Sequence, residues 1–134
     1  MIEDFDSSRK NAAYKYFVGE LAKCASRSVE ADRIRKNGHP ERTNDADLPL
    51  NEVEEKRRAL FLRLAPEDRE ILAKFVEKTR VGALHDVASL LEDWLALDEI
   101  KISLHGYSVP ASPYNMMHAD LLSLVAGEPW EDEE

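Results

Sequence analysis

The stretch from Leu64 to Leu97, LAPEDREILAKFVEKTRVGALHDVASLLEDWLAL, constrains the fold more than any other part of this chain. Its apolar residues recur at helical spacing, so it reads as helix that must bury one side. Pro66 suits the first helical position, where its missing N–H is no loss. Glu67, Asp68 and Glu70 follow at the positive end of the helix dipole. Leu72, Phe75, Val76 and Thr79 share a face with Ile71 alongside, and Lys74, Lys78 and Arg80 gather near the end. Gly82 reads as a break. A second stripe of Leu84, Val87, Ala88, Leu91, Trp94 and Leu95 follows, widened by Leu90 and Leu97. Two helices forming a hairpin are expected, with one long helix kinked at Gly82 as the alternative.

The rest of the chain builds around that segment. Asp6, Ser7 or Ser8 suits the cap of a first helix. Tyr14, Phe17, Val18, Leu21, Ala22, Ala25 and Val29 then fall on one side. Asn37-Gly38 and Pro40 end it, which predicts one long helix over 7–37 whose last turns project as a basic arm. Residues 38–50 read as a linker, polar and proline-containing. Asn51 and Glu54 make a capping box for the next helix, with Val53, Leu60, Phe61 and Leu64 on its apolar side. Ile100 to Val109 switches to period two. A His105-Gly106 turn would pair Leu104 with Tyr107 and Ile102 with Val109 on one face. Met117, Leu121, Leu124 and Val125 mark a last helix stopped by Gly127, and the acidic tail 128–134 is expected to fray beyond Trp130.

The expected architecture is mainly α: one domain, 1–134, of about five helices with one short β-hairpin at 100–109 in a helical body of 51–127. Its expected core is Phe17, Leu21, Leu60, Phe61, Leu72, Phe75, Val76, Leu84, Val87, Leu91, Trp94, Leu95, Leu121 and Val125.

Composition bounds the function. The chain has 134 residues, 43% hydrophobic and 34% charged, a globular balance for one domain. Its single cysteine, Cys24, excludes an internal disulfide and fits a reducing, cytoplasmic setting. No run of about 18 apolar residues predicts a membrane span, and the acidic, polar start is unlike a signal peptide. The net charge of −9 is unevenly placed: Ser7 to Thr43 carries nine Lys and Arg against four Asp and Glu. A basic segment on an acidic body points to contact between the two, within or between chains.

Candidate chemistry is sparse. His85 and Asp86, with His118 and Asp120, are the residue types of a divalent-metal site or an acid–base pair, if the fold brings the two helix starts together. The spacing offers no HExxH and no i,i+4 histidine pair. The plainer reading is packed histidines and a capping Asp86. Cys24 lacks a visible base, and there is no phosphate loop, no Gly-x-Ser-x-Gly and no dinucleotide fingerprint. No cofactor is implied. Arg27, Arg33, Arg35, Lys36, His39 and Arg42 suit phosphates, but without interleaved aromatics nucleic acid is disfavoured.

The expected function is a non-enzymatic protein-binding or accessory module, with the metal or acid–base enzyme as the alternative. Self-association is expected through the first helix, with Phe17, Leu21 and Ala25 in the interface and Arg33 and Arg35 on the acidic body of a second copy. A basic protein partner is the other candidate.

The segments PEDREILAKF, ALHDVASLLEDW, HGYSVPASPYNMMHAD and GEPW resemble a family of small uncharacterised bacterial proteins, from Leu64 onward. The resemblance implies a bacterial origin and carries no activity.

Overall fold

The structure, a computed structural model, describes residues 5–36 and 51–133. Among them are five α-helices and one antiparallel hairpin: α1 (Ala12–Ser26), α2 (Val29–Arg35), α3 (Glu52–Arg63), α4 (Pro66–Ala96), β1 (Ile102–Leu104), β2 (Tyr107–Val109) and α5 (Met117–Val125), then a 3-10 turn at Glu131–Glu133. The mainly helical expectation with one short hairpin holds. The chain divides into two compact units, Met1–Arg27 with Arg80–Glu134, and Ser28–Thr79.

The long first helix is corrected to two. Ser28 is extended, and its hydroxyl accepts the Ala31 N–H at 3.1 Å, opening α2 with Glu30 and Asp32 in the first turn. That is an N-cap with carboxylates behind it, and it stops α1 at Ser26. The start is later than expected too. Asp6 accepts the Ser8 N–H in a local turn, and α1 begins after Asn11, whose φ is 54°. The linker expected at 38–50, with His39 and Arg42, lies outside the described residues.

Gly82 does not break α4, which runs unbroken from Pro66 to Ala96. Gly82 has no positive φ, so nothing at that position ends a helix. The stop comes at Asp98, whose φ is 60°. The Glu99 N–H returns to the Trp94 carbonyl at 2.8 Å, and the Asp98 N–H to Leu95 at 3.2 Å. Asp tolerates this left-handed position where most residues do not. Gly127 ends α5 the same way, with the Glu128 N–H on the Ser123 carbonyl. The capping box of α3 is present, Asn51 and Glu54 each accepting the other's N–H.

The hairpin register is as expected: Ile102 pairs with Val109 and Leu104 with Tyr107. His105 and Gly106 have φ values of 49° and 81°, the two-residue turn with both central residues left-handed. A valine at 106 would add β-branching in that region. Gly106→Val should therefore cost about 1–2 kcal/mol more than Ser108→Val in denaturant melts. Equal losses would remove the turn.

In the first unit α1 packs on α5 and β2. Tyr14, Val18, Ala22, Ala88, Val109, Met117, Leu121 and Trp130 are buried together, with Phe17, Leu21, Leu84, Leu91, Leu95 and Val125 partly buried against them. In the second unit Ala31, Ile34 and Ala73 are buried, with Phe61, Leu72 and Val76 against them. Four expected core residues are instead exposed: Leu60, Phe75, Val87 and Trp94, the last at 42%. The expected α4 stripe merged two faces. The side ending at Leu84, Ala88, Leu91 and Leu95 turns inward, and the side carrying Val87, Leu90 and Trp94 turns out. Trp94→Ala is accordingly expected to cost about 1 kcal/mol or less in a denaturant melt. A loss of several kcal/mol would restore Trp94 to the core.

Candidate functional site: a buried polar bracket in the first unit

The sequence gives α1 a tyrosine and a lysine side by side on its core edge. Tyr14 is fully buried and Lys15 keeps only 2% of its side-chain surface. A buried hydroxyl and a buried ammonium each need partners. Tyr14 donates to the Asp120 carboxylate of α5, and the Ser112 hydroxyl donates to the same carboxylate at 2.6 Å. The Ser112 hydroxyl also accepts the Tyr114 N–H at 3.1 Å. The Ser112 N–H is shared by both carboxylate oxygens of buried Glu92 on α4, at 3.0 and 3.1 Å. Ser112 thus straps loop 110–116 to α4 and α5, and Asp120 carries the link on to Tyr14 of α1. Burial, and then the Asp120 carboxylate, push the Tyr14 phenol well above its usual range, so it stays a donor.

Lys15 serves the tail. Its ammonium donates to Asp132 at 2.7 Å and to Glu133 at 3.1 Å, while Arg9 also binds Glu133. Burial pulls the Lys15 ammonium down, but those hydrogen bonds outweigh it and its pKa is raised. Trp130 is buried against Tyr14 and Tyr114, with ring centroids at 5.9 and 5.3 Å. The tail expected to fray beyond Trp130 is instead docked: an aromatic anchor is followed by carboxylates at the spacing of a 3-10 turn. Beside it runs a groove of about 410 Å³ along α1, edged by Arg9, Lys15 and Lys23 and floored by Gly19, Ala22 and Leu124. Arg9 and Lys15 are already matched by the tail.

The docked tail has a pH signature. The Lys15 ammonium, then the Tyr114 hydroxyl, hold the Asp132 carboxyl below its usual range, and Arg9, then Lys15, do the same for Glu133. A carboxyl with a lowered folded pKa stabilises fully above its unfolded value, near 4, and loses that contribution as pH falls through the folded one. Acidification below about pH 4 should therefore release the tail. Trp130 emission in a Trp94→Phe background should shift red there, and an unshifted spectrum would separate the tail from these carboxylates.

The four expected metal or acid–base residues divide. His85 and His118 do meet, their rings edge to face with centroids 5.0 Å apart. Asp86 lies 3.3 Å from the His85 Nδ1 on the exposed side, and Asp120 is turned to Tyr14 and Ser112. The His118 Nδ1 is buried and has no hydrogen-bond partner among the described residues. Among the described residues no three His, Cys, Asp or Glu side chains are arranged to hold a metal ion. Sequence reasoning overlooked Tyr14, Glu92, Ser112 and Lys15. Only the polar residues interrupting apolar stripes at 15 and 92 signalled them.

Three of the residues expected in a first-helix interface make contacts within the first unit. Phe17 and Leu21 pack on the core, and Ala25 is buried. In the second unit Arg33 binds Glu30 at 3.1 Å, while Arg35 binds Glu70 at 2.9 Å and also Glu77. A phosphate backbone would have to displace those carboxylates. No helix among the described residues is long and apolar enough to cross a membrane.

Fold and site together define a small, mainly helical protein whose polar core binds a C-terminal loop and tail to its first helix. The chain belongs to a family of unknown function (DUF6547), whose model matches residues 7–132. The match takes in the first helix as well as the segments from Leu64 onward. No curated protein and no solved structure matches the chain.

Proposed function

We propose that the protein is a non-enzymatic accessory module that works through protein contacts, made by the outward face of α4. The observation that carries this reading is that face itself. Ala83, Val87, Leu90, Trp94 and Leu97 lie along one side of the helix and are exposed, Leu97 at 70%. Contiguous apolar surface around a tryptophan is what interaction sites use, and scattered single residues are not. The buried bracket supports the same reading, because each carboxylate there is matched by donors that hold loop and tail in place. Of the residues of the metal or acid–base alternative, His85 keeps its contacts with His118 and Asp86, while Asp120 is committed to Tyr14 and Ser112. The reducing cytoplasm is the setting we propose, since Cys24 is an exposed free thiol.

The test is co-purification of differently tagged native protein and a Leu90→Glu, Trp94→Glu variant from the native host. The variant should keep the native circular dichroism spectrum and lose the proteins that native chain retains. A folded variant that retains them all would move the function off this face.

A further inference from the structure

Among the described residues a second unpartnered face lies on α3, in the Ser28–Thr79 unit. None of the residues of α3 is buried. Val53 and Leu60 are exposed two turns apart, and Lys56 and Arg63 are exposed two turns apart along the adjoining edge. Seven residues span about 10.5 Å of helix, so each pair stays on one side. The outward face of α4 has the opposite charge at the same repeat. Val87 and Trp94 are seven apart, Leu90 and Leu97 are seven apart, and Asp86 and Asp93 are seven apart on their edge. No Lys or Arg occurs between Val81 and Ile100, so this face has nothing basic of its own to neutralise it. Among the described residues Lys56 pairs with Glu52, in an exposed i,i+4 pair at 2.7 Å, a weak competitor.

From this complementarity we infer that the occupant of the α4 face is α3 of a second copy, which deepens the reading above and rests on it. Val53 and Leu60 fill the apolar strip while Lys56 and Arg63 meet Asp86 and Asp93. A dimer in which each chain gives its α3 and takes the other's on its α4 is the smallest assembly that matches both faces. Direct α4–α4 pairing along this stretch would set acid beside acid, which disfavours it.

Sedimentation equilibrium of the full chain at tens of micromolar should give a dimer that weakens with salt. Asp86→Lys with Asp93→Lys, and separately Lys56→Glu with Arg63→Glu, should each weaken dimerisation at least about tenfold. Mixing the two charge-reversed proteins should restore the dimer, because every α3–α4 contact is then attractive again. A native monomer, reversals without effect, or a mixture that stays monomeric would overturn the inference. The Leu90→Glu variant, melted at sub-micromolar concentration, separates the two claims. If it is as stable as the native chain while the native chain is monomeric, the occupant is wrong and the contact face stands. If it unfolds, the face is core and both fall.

Discussion

Tyr14→Ala is expected to lower the unfolding free energy by about 3–5 kcal/mol, the range for removing a buried aromatic ring. Tyr14 is fully buried in the centre of α1, with its ring against Tyr114 and Trp130. Its hydroxyl also donates to the buried Asp120 carboxylate, as the Ser112 hydroxyl does. The loss therefore combines a cavity with a carboxylate left short of a partner. Tyr14→Phe separates the two terms: it keeps the ring and should cost about 1–3 kcal/mol. A Tyr14→Phe loss near zero would mean that Ser112 alone satisfies Asp120.

Trp130→Ala should be the next largest, at about 3 kcal/mol. Trp130 seats the tail against the two tyrosines, and with it go the positions of Asp132 and Glu133 around Lys15. A buried lysine without its carboxylates is costly, so the effect exceeds the ring's own burial. A chain ending at Glu128 should lose about as much. If both changes cost under about 1 kcal/mol, the tail frays as its composition alone suggested.

What the sequence made legible was local. The Asn51–Glu54 box, Pro66 as a helix start, the His105-Gly106 register and the Gly127 stop each rest on chemistry within a few residues, and each is present. The misreadings came where local signals competed. Ser28 with Glu30 and Asp32 is a start signal hidden in a helical stripe, and it outweighed the continuity from Val18 to Val29. Gly82 costs helix only about 1 kcal/mol against alanine, too little to end α4 without an alternative partner for its carbonyls. Leu91 and Leu90 are equally apolar, and only tertiary packing decides which points inward. The bracket was illegible for the same reason. Tyr14, Glu92, Ser112 and Asp120 are scattered over the chain and have meaning only once α1, α4 and α5 meet.

The fold depends on which apolar face is core and which is surface. The most direct measurement compares Val18→Glu with Leu90→Glu by chemical denaturation at sub-micromolar concentration. Val18 is fully buried on α1, and a charge there should abolish the folded state. Leu90 stands on the outward face of α4, and Leu90→Glu should melt within about 0.5 kcal/mol of the native chain. An unfolded Leu90→Glu beside a folded Val18→Glu would contradict the account.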